Sequence, residues 1–288
     1  MTEKERDKMK KIEKEVFENE RALYGEKDID LIECRFAGEA DGESALKECK
    51  NISVARCAFD LRYPLWHDTG VRISDSSMSE TCRAALWYTE EVQIIRSRLH
   101  GTKALRECTS VKISECDIRS AEFGWMCDGI ECADSSAEGE YFMFRARNLT
   151  FNSLNFRGKY SFQYIENATF DNCILDTKDA FWHAKNVQVR NSVVKGEYLG
   201  WYCENVTFEN CRIIGTQPLC YCKGLKLINC ECEGCDLSFE KSEVEATVIG
   251  RVDSIKNPKC GNIYVGGVGE LIFDDVNAHG RVIIEESL

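Results

Sequence analysis

Proline is scarce, three residues in 288, and no low-complexity tract breaks the chain. That composition excludes a proline-rich spacer or a long disordered segment and points to a packed structure. No run of about 18 apolar residues occurs, and the opening MTEKERDKMKKIEKEVF lacks the apolar core of a secretion signal. Both absences predict a cytoplasmic protein with no membrane partner. Basic residues are outnumbered, 37 Lys and Arg against 49 Asp and Glu, for a net charge of −12. So acidic a chain lacks the counterion-releasing surface that phosphate backbones require, which excludes nucleic acid as a partner. Neither a phosphate loop, a dinucleotide fingerprint nor an H-E-x-x-H motif is found, and the four histidines, His67, His100, His183 and His279, are scattered. No cofactor and no metal are expected.

Cysteine, by contrast, is abundant. Seventeen residues, an odd count in a long chain without an export signal, predict free thiols rather than a disulfide framework. Cys220, Cys222, Cys230, Cys232 and Cys235 resemble a zinc cluster only loosely, because structural zinc sites usually pair cysteines two residues apart. An internal repeat accounts for most of them.

Aligning the chain with itself yields a nineteen-residue period. One column reads Asn51, Gly70, Glu91, Ser110, Gly129, Asn148, Asn167, Asn186, Asn205, Gly224, and the position after it is apolar in every coil. Two residues further stand Val54, Ile73, Ile94, Ile113, Cys132, Phe151, Phe170, Val189, Phe208 and Leu227. Alternation of this kind, in β-branched and aromatic residues, marks a strand with one face buried. A second strand, through Phe59, Leu99, Phe156 and Leu175, ends in several coils at a glycine such as Gly101, Gly196 or Gly215. A third apolar column, Leu46, Leu65, Leu86, Leu105, Met143, Phe162, Phe181, Leu219, precedes the Asn column and completes an expected three strands and three bends per coil. The fold class that follows is all-β: a single-stranded right-handed parallel β-helix of about ten coils, right-handed because parallel crossovers prefer that hand.

Coils stacked at the inter-strand distance of ~4.8 Å bring equivalent side chains into contact, so repeated residues should form ladders. Asn148, Asn167, Asn186 and Asn205 predict one, at a bend whose backbone Asn and Gly tolerate; Asn152, Asn172, Asn191, Asn210 and Asn229 predict a second. Cys49, Cys108, Cys127, Cys203 and Cys222 share one column, and Cys57, Cys116, Cys173, Cys211 and Cys230 share another in which Ser76, Ser97, Ser135 and Ser192 substitute. That exchange points to a need for small buried side chains rather than for thiol chemistry. Met9, Ile12, Val16 and Phe17 recur at helical spacing and predict an amphipathic helix over the first coil. The expected organisation is one domain, with a helical cap over residues 1–27, regular coils over 28–236, and irregular final coils with a C-terminal cap over 237–288.

The segments FENERALYGEKDIDLIECRF, YPLWH, ALWYTEEV, DAFWHAKN, GEYLGWYCEN and DSIKNP together resemble the mostly bacterial family called domain of unknown function 3737, over nearly the whole chain. The resemblance implies a pectin-lyase-like right-handed β-helix and carries no catalytic residues with it.

Two columns lead into the Asn bend. The first holds all five tryptophans, Trp66, Trp87, Trp125, Trp182 and Trp201, with Lys47, Arg106 and Gln163 at equivalent places. The second holds His67, Tyr88, Glu107, Tyr164, His183 and Tyr202. If exposed, Trp66, Trp87, Trp125, Tyr164, Trp182, His183, Trp201 and Tyr202 are expected to bind a glycan or other small molecule, since rings stack on sugar faces. Turned inward, the same rings are packing, and the protein is a scaffold. A carbohydrate-active enzyme, of polysaccharide lyase or glycoside hydrolase type, would instead need carboxylates beside a base or cation. The candidates for that chemistry are His67, Asp68, Tyr88, Arg106, Glu107 and Asp128, in successive coils, with structural ion pairing as the competing role. Nothing in the pattern fixes an oligomeric state.

Overall fold

The computed structural model describes residues 9–38, 43–285 and 287. It divides into two compact units, Met1–Gly139 and Glu140–Leu288. In each, the strands pair in parallel, coil on coil, and no helix occurs among the described residues. In the first unit the turns run from Lys10–Glu13 with Val16–Phe17 to Asp128–Glu140, and in the second from Arg147–Lys159 to Asn262–Ile272, followed by a closing strand, Arg281–Ile284. Seven turns stand in each unit, about fourteen in all rather than ten. The shortfall has a plain cause: the period is not constant. Ile29 pairs with Ile52, a step of twenty-three residues, Val71 with Val92, a step of twenty-one, and Ala246 with Ile263, a step of seventeen, so a search at nineteen misses both ends.

The predicted N-terminal helix is replaced by strand. Lys10–Glu13 lies against Ile29–Ile32, and Val16–Phe17 against Arg35–Phe36, so Ile12 continues the column of Leu31 and Phe17 stacks on Phe36 at 4.9 Å. Apolar residues at Ile12 and Phe17 serve a coil as well as they would a helix, and the neighbouring strand decides between the two. Residues 1–8 of the expected cap lie outside the described residues.

The inner columns are dry. In the first unit Val71, Val92, Val111 and Ile130 stack beside Ile73, Ile94, Ile113 and Cys132, all at most 2% exposed. In the second, Phe151 and Phe170 stack at 4.8 Å, and Phe162 and Phe181 meet Phe170 edge-on at 5.1 and 5.2 Å. Burying a side chain of this size stabilises by roughly 1.5–3 kcal/mol, and edge-to-face ring pairs add about 0.5–1.5 kcal/mol. Gly196 and Gly215 permit a close approach of coils, because a Cβ at either would collide with the backbone carbonyl of Thr177 or Gly196.

The third predicted strand is a turn. Leu46, Leu65, Leu86, Leu105, Met143, Phe162, Phe181 and Leu219 are buried as expected, yet each has φ between 55° and 61°, in the left-handed region. The residues two before and two after often share it, as Tyr160, Phe162 and Tyr164 do at 58°. Large side chains resist this conformation by about 1 kcal/mol or more each. Coil-to-coil hydrogen bonds hold it: the N–H groups of Tyr160 and Tyr164 donate to the carbonyls of Lys178 and Trp182 in the next coil, and Phe162 N–H donates to Phe142 in the preceding one. The Asn column behaves as the sequence predicts, with Asn148, Asn167, Asn186 and Asn205 at φ of 53–56°.

The cysteine columns are hydrogen-bonding devices as well as small side chains. Cys49, Cys108, Cys203 and Cys222 donate from Sγ to the carbonyls of Leu23, Leu86, Phe181 and Gly200 in the coil before, at 2.7–3.1 Å. Thr89 and Ser242 do the same with their hydroxyls. In the other column the hydroxyls of Ser76, Ser135 and Ser192 accept from the N–H groups of Cys57, Cys116 and Cys173 at 2.9–3.0 Å. All seventeen cysteines are free, and burial pushes the thiols of Cys49, Cys57 and Cys220 up to about 12.

Candidate functional site

The tryptophans are neither sealed in nor laid open. Each is half-buried, and four indole N–H groups are spent on backbone: Trp66 donates to the carbonyl of Ala84 and Trp87 to that of Lys103, both at 2.6 Å, Trp182 to Tyr198 at 2.7 Å and Trp201 to Gln217 at 2.8 Å. Gln163, at a tryptophan position, donates its amide to Asp179 in the same way at 2.9 Å. The ring therefore lies over the left-handed turn of the next coil and satisfies a carbonyl there. This equivalence explains why Gln and Trp share a column, which hydrophobicity alone does not.

In the first unit this column is a stack of rings and cations. Trp66 and Trp87 are parallel at 5.1 Å, Lys47 covers Trp66, and the Arg106 guanidinium sits 4.6 Å from Trp87 and 4.9 Å from Trp125. Arg106 also pairs with Glu122 at 3.4 Å. Its charge is thus committed to two rings and a carboxylate. Trp182 and Trp201 form the corresponding parallel pair of the second unit at 5.4 Å.

The neighbouring column faces solvent. In the first unit His67 stacks on Tyr88 at 4.8 Å. In the second, Arg145 caps Tyr164, and Tyr164, His183, Tyr202 and Tyr221 follow at successive spacings of 4.8, 5.0 and 4.9 Å, nearly parallel. Tyr164 and Tyr202 are 41% and 44% exposed. Because each ring covers the face of the next, the stripe presents ring edges, hydroxyls and an imidazole to solvent rather than open aromatic faces.

The six catalytic candidates divide between two sides of the chain. His67 and Glu107 are exposed with Tyr88 half-buried in the same column, while Asp68 points inward and is fully buried in the column of Cys49 and Thr89. One Asp68 oxygen accepts from the Cys49 N–H at 2.7 Å; the other is buried without a partner. Burial pushes this carboxyl up to about 8, so it is largely protonated at neutral pH. Asp128 opens the strand Asp128–Glu140, opposite Thr109, and is half-buried. Arg106 is held as described above.

Two concavities escaped the sequence. One is an open groove of about 660 Å³ in the second unit, along the Asn ladder and the next outward column, Thr150, Thr169, Gln188 and Thr207. Its floor is ordered: the amides of Asn167, Asn186 and Asn205 donate to the side-chain oxygens of Asn148, Asn167 and Asn186 at 3.1–3.3 Å. The predicted second ladder is shorter, with Asn210 donating to Asn191, and Asn191 to Asp171; Asn152 stands one place off that column, which Ser153 occupies. The other concavity, about 480 Å³, is lined by Lys241, Asn257, Lys259, Cys260, Asp275, Asn277 and His279, residues too far apart in sequence and too irregular in spacing to be grouped without coordinates. Asn257, from the DSIKNP segment, ties the turn beyond it by accepting the N–H groups of Asp274 and Asp275.

A family model described as a protein of unknown function (DUF3737) matches residues 10–285. No curated protein matches the chain. Among solved structures, the A-module of the mannuronan C-5 epimerase AlgE4 from Azotobacter vinelandii is similar with 10% identity and a TM-score of 0.40, over 96% of this chain and 91% of that one. No helix among the described residues is long and apolar enough to cross a membrane.

Proposed function

The chain belongs to the DUF3737 family of proteins of unknown function, and we propose that it binds an elongated polyhydroxylated ligand, an oligosaccharide, along the ladder face of its second unit. The groove beside the Asn ladder carries this reading. It repeats a neutral amide and a neutral hydroxyl or amide in four coils, as Asn148 with Thr150, Asn167 with Thr169, Asn186 with Gln188 and Asn205 with Thr207. Uncharged donors and acceptors at a regular ~4.8 Å spacing suit a chain of hydroxyls better than they suit an ion or an apolar molecule. Three residues earlier, Tyr164, His183 and Tyr202 add polar ring edges in three of these coils, and Arg145 stands at that place in the first. The half-buried tryptophans support this face from behind by fixing the turns. A binding role without turnover fits the candidates for chemistry, since Asp68 faces inward beside an outward His67 and Arg106 is enclosed by rings.

Titration of the full chain against a panel of neutral and acidic oligosaccharides tests the reading. A neutral oligosaccharide is expected to bind, and Asn186→Ala and Tyr202→Ala are each expected to weaken binding about fivefold, the loss of roughly one hydrogen bond. Trp182→Phe, which keeps an aromatic ring but loses the indole N–H held by the Tyr198 carbonyl, should lower stability and weaken binding less than Asn186→Ala does. Binding indifferent to Asn186 and Tyr202 would sink the proposal. Product formation that vanishes in Glu107→Gln would favour the enzyme instead.

A further inference from the structure

The closing strand of the second unit, Arg281–Ile284, pairs in parallel with Asn262–Ile272, setting Ile263 against Val282 and Val265 against Ile284. Among the described residues it pairs with no other strand. Ile263 and Val265 are fully buried, yet Ile284, next in the inner column, is 55% exposed, and Leu271 and Phe273, farther along the last full turn, are each 47% exposed. Among the described residues, nothing covers this last inner column or pairs with the outer backbone edge of the strand, the kind of edge that another strand can extend. The direction of that edge is fixed. Arg281 N–H donates to Gly261 and Glu285 N–H to Val265, so alternate residues hydrogen-bond backwards and the polar groups of Val282 and Ile284 point away from the coil.

We propose that this edge is the interface of a two-fold symmetric homodimer, in which Arg281–Ile284 pairs antiparallel with the same strand of a second copy, centred on Ile283. The sequence RVIIE complements itself in that register alone. Val282 falls opposite Ile284 of the second copy, both with outward N–H and C=O groups, so a hydrogen-bonded pair forms on each side of the axis. Their side chains close the two cores on each other. On the other face Arg281 lies opposite Glu285 of the second copy, twice by symmetry, with Ile283 against its own equivalent between them. Centring the pair on Val282 would instead set Arg281 against Ile283 and lose both ion pairs. The second copy is chosen over another protein because charge, hydrogen-bond direction and apolar pairing are all met by the strand itself.

Light scattering on the eluting full chain should give twice the monomer mass at micromolar concentration. Arg281→Glu and Glu285→Arg each place like charges opposite at both ends and should weaken association about tenfold, while the double exchange restores it. Ile283 on the axis is a non-hydrogen-bonded pair, close enough for a disulfide. Ile283→Cys in a Cys260→Ser background should therefore cross-link under mild oxidation, and Arg281→Cys in the same background should not. A monomer at all concentrations, or a dimer that the double exchange does not rescue and Ile283→Cys does not trap, overturns the proposal.

Discussion

The two units share one coil but differ in what they hang on it. In the second, four asparagines in succession pass hydrogen bonds along the surface, and four rings stack beside them. In the first, the same bend carries Asn51, Gly70, Glu91, Ser110 and Gly129, and Asn51 turns instead to Asp28 at 2.6 Å and to the Arg72 guanidinium at 3.1 Å. Inside, the order reverses. The second unit begins the cysteine column with apolar Ala146, Ile165 and Ala184 before Cys203, Cys222 and Ser242, whereas the first sets Asp68 and Thr89 between Cys49 and Cys108. Coil formation therefore depends on the inner apolar columns common to both units, and the ladders are additions laid on a fold already determined.

The largest test of that ranking is a charge in the shared inner columns. Phe170→Asp in the second unit and Ile94→Asp in the first should each cost about 4 kcal/mol or more by burying an unpaired carboxylate, read as a collapse of the thermal transition. An equal melting temperature in either variant would reverse the ranking.

Next in size is the inward Asp68, which belongs to the first unit alone. Its folded-state value near 8 lies above the ordinary 3.8, so between these pH values the unfolded chain has lost a proton that the folded chain keeps. Stability then falls as pH rises through that window, by about 1.4 kcal/mol per pH unit from this group, and levels off above pH 8. Asp68→Asn retains an acceptor for the Cys49 N–H and should flatten that slope, so that urea unfolding favours the variant at pH 7 more than at pH 5. A variant with the wild-type slope would show that Asp68 is ionised in place.

Smaller effects belong to the ladders. Asn186→Ala removes two amide bonds and puts alanine at φ 53°, for a loss of about 1–2 kcal/mol. The converse is the sharper experiment. Glu91→Asn with Ser110→Asn builds one amide rung into the first unit at residues already left-handed, and should raise its stability by about 1 kcal/mol. No gain would mean that the amide chain follows from the second unit's geometry rather than from its residues.

The inner columns were legible from residue type alone, because period-two alternation and a nineteen-residue offset leave one solution for Ile94, Ile113 and Phe170. The coil number was not, since insertions such as the one between Ile29 and Ile52 shift the offset without changing the packing. Nor was the third side of the coil. Leu65 and Phe162 read as strand, and their left-handed φ is imposed by hydrogen bonds from neighbouring coils that no local preference reveals. The two aromatic columns were found, but their division of labour was not: whether an indole N–H reaches a carbonyl eighteen residues on, as Trp66 does, depends on the stacked turn and leaves no mark in composition. The Asn ladder was legible but the groove along it was not, because its depth depends on the stacked columns beside the bend, and the Cys260 concavity depends on irregular turns whose spacing obeys no repeat.

The interchange of Cys and Ser along the inner columns changes how the molecule meets electrophiles. With seventeen thiols it looks like an easy target for alkylation or oxidation, yet fifteen of them are buried and Cys232 is half-shielded. Thiolate is the reactive form, and burial suppresses it at Cys49, Cys57 and Cys220. Cys260 alone is exposed. To a maleimide or a peroxide, the folded chain is in effect a single-cysteine protein, and each further label it takes up reports the opening of a cysteine-bearing coil.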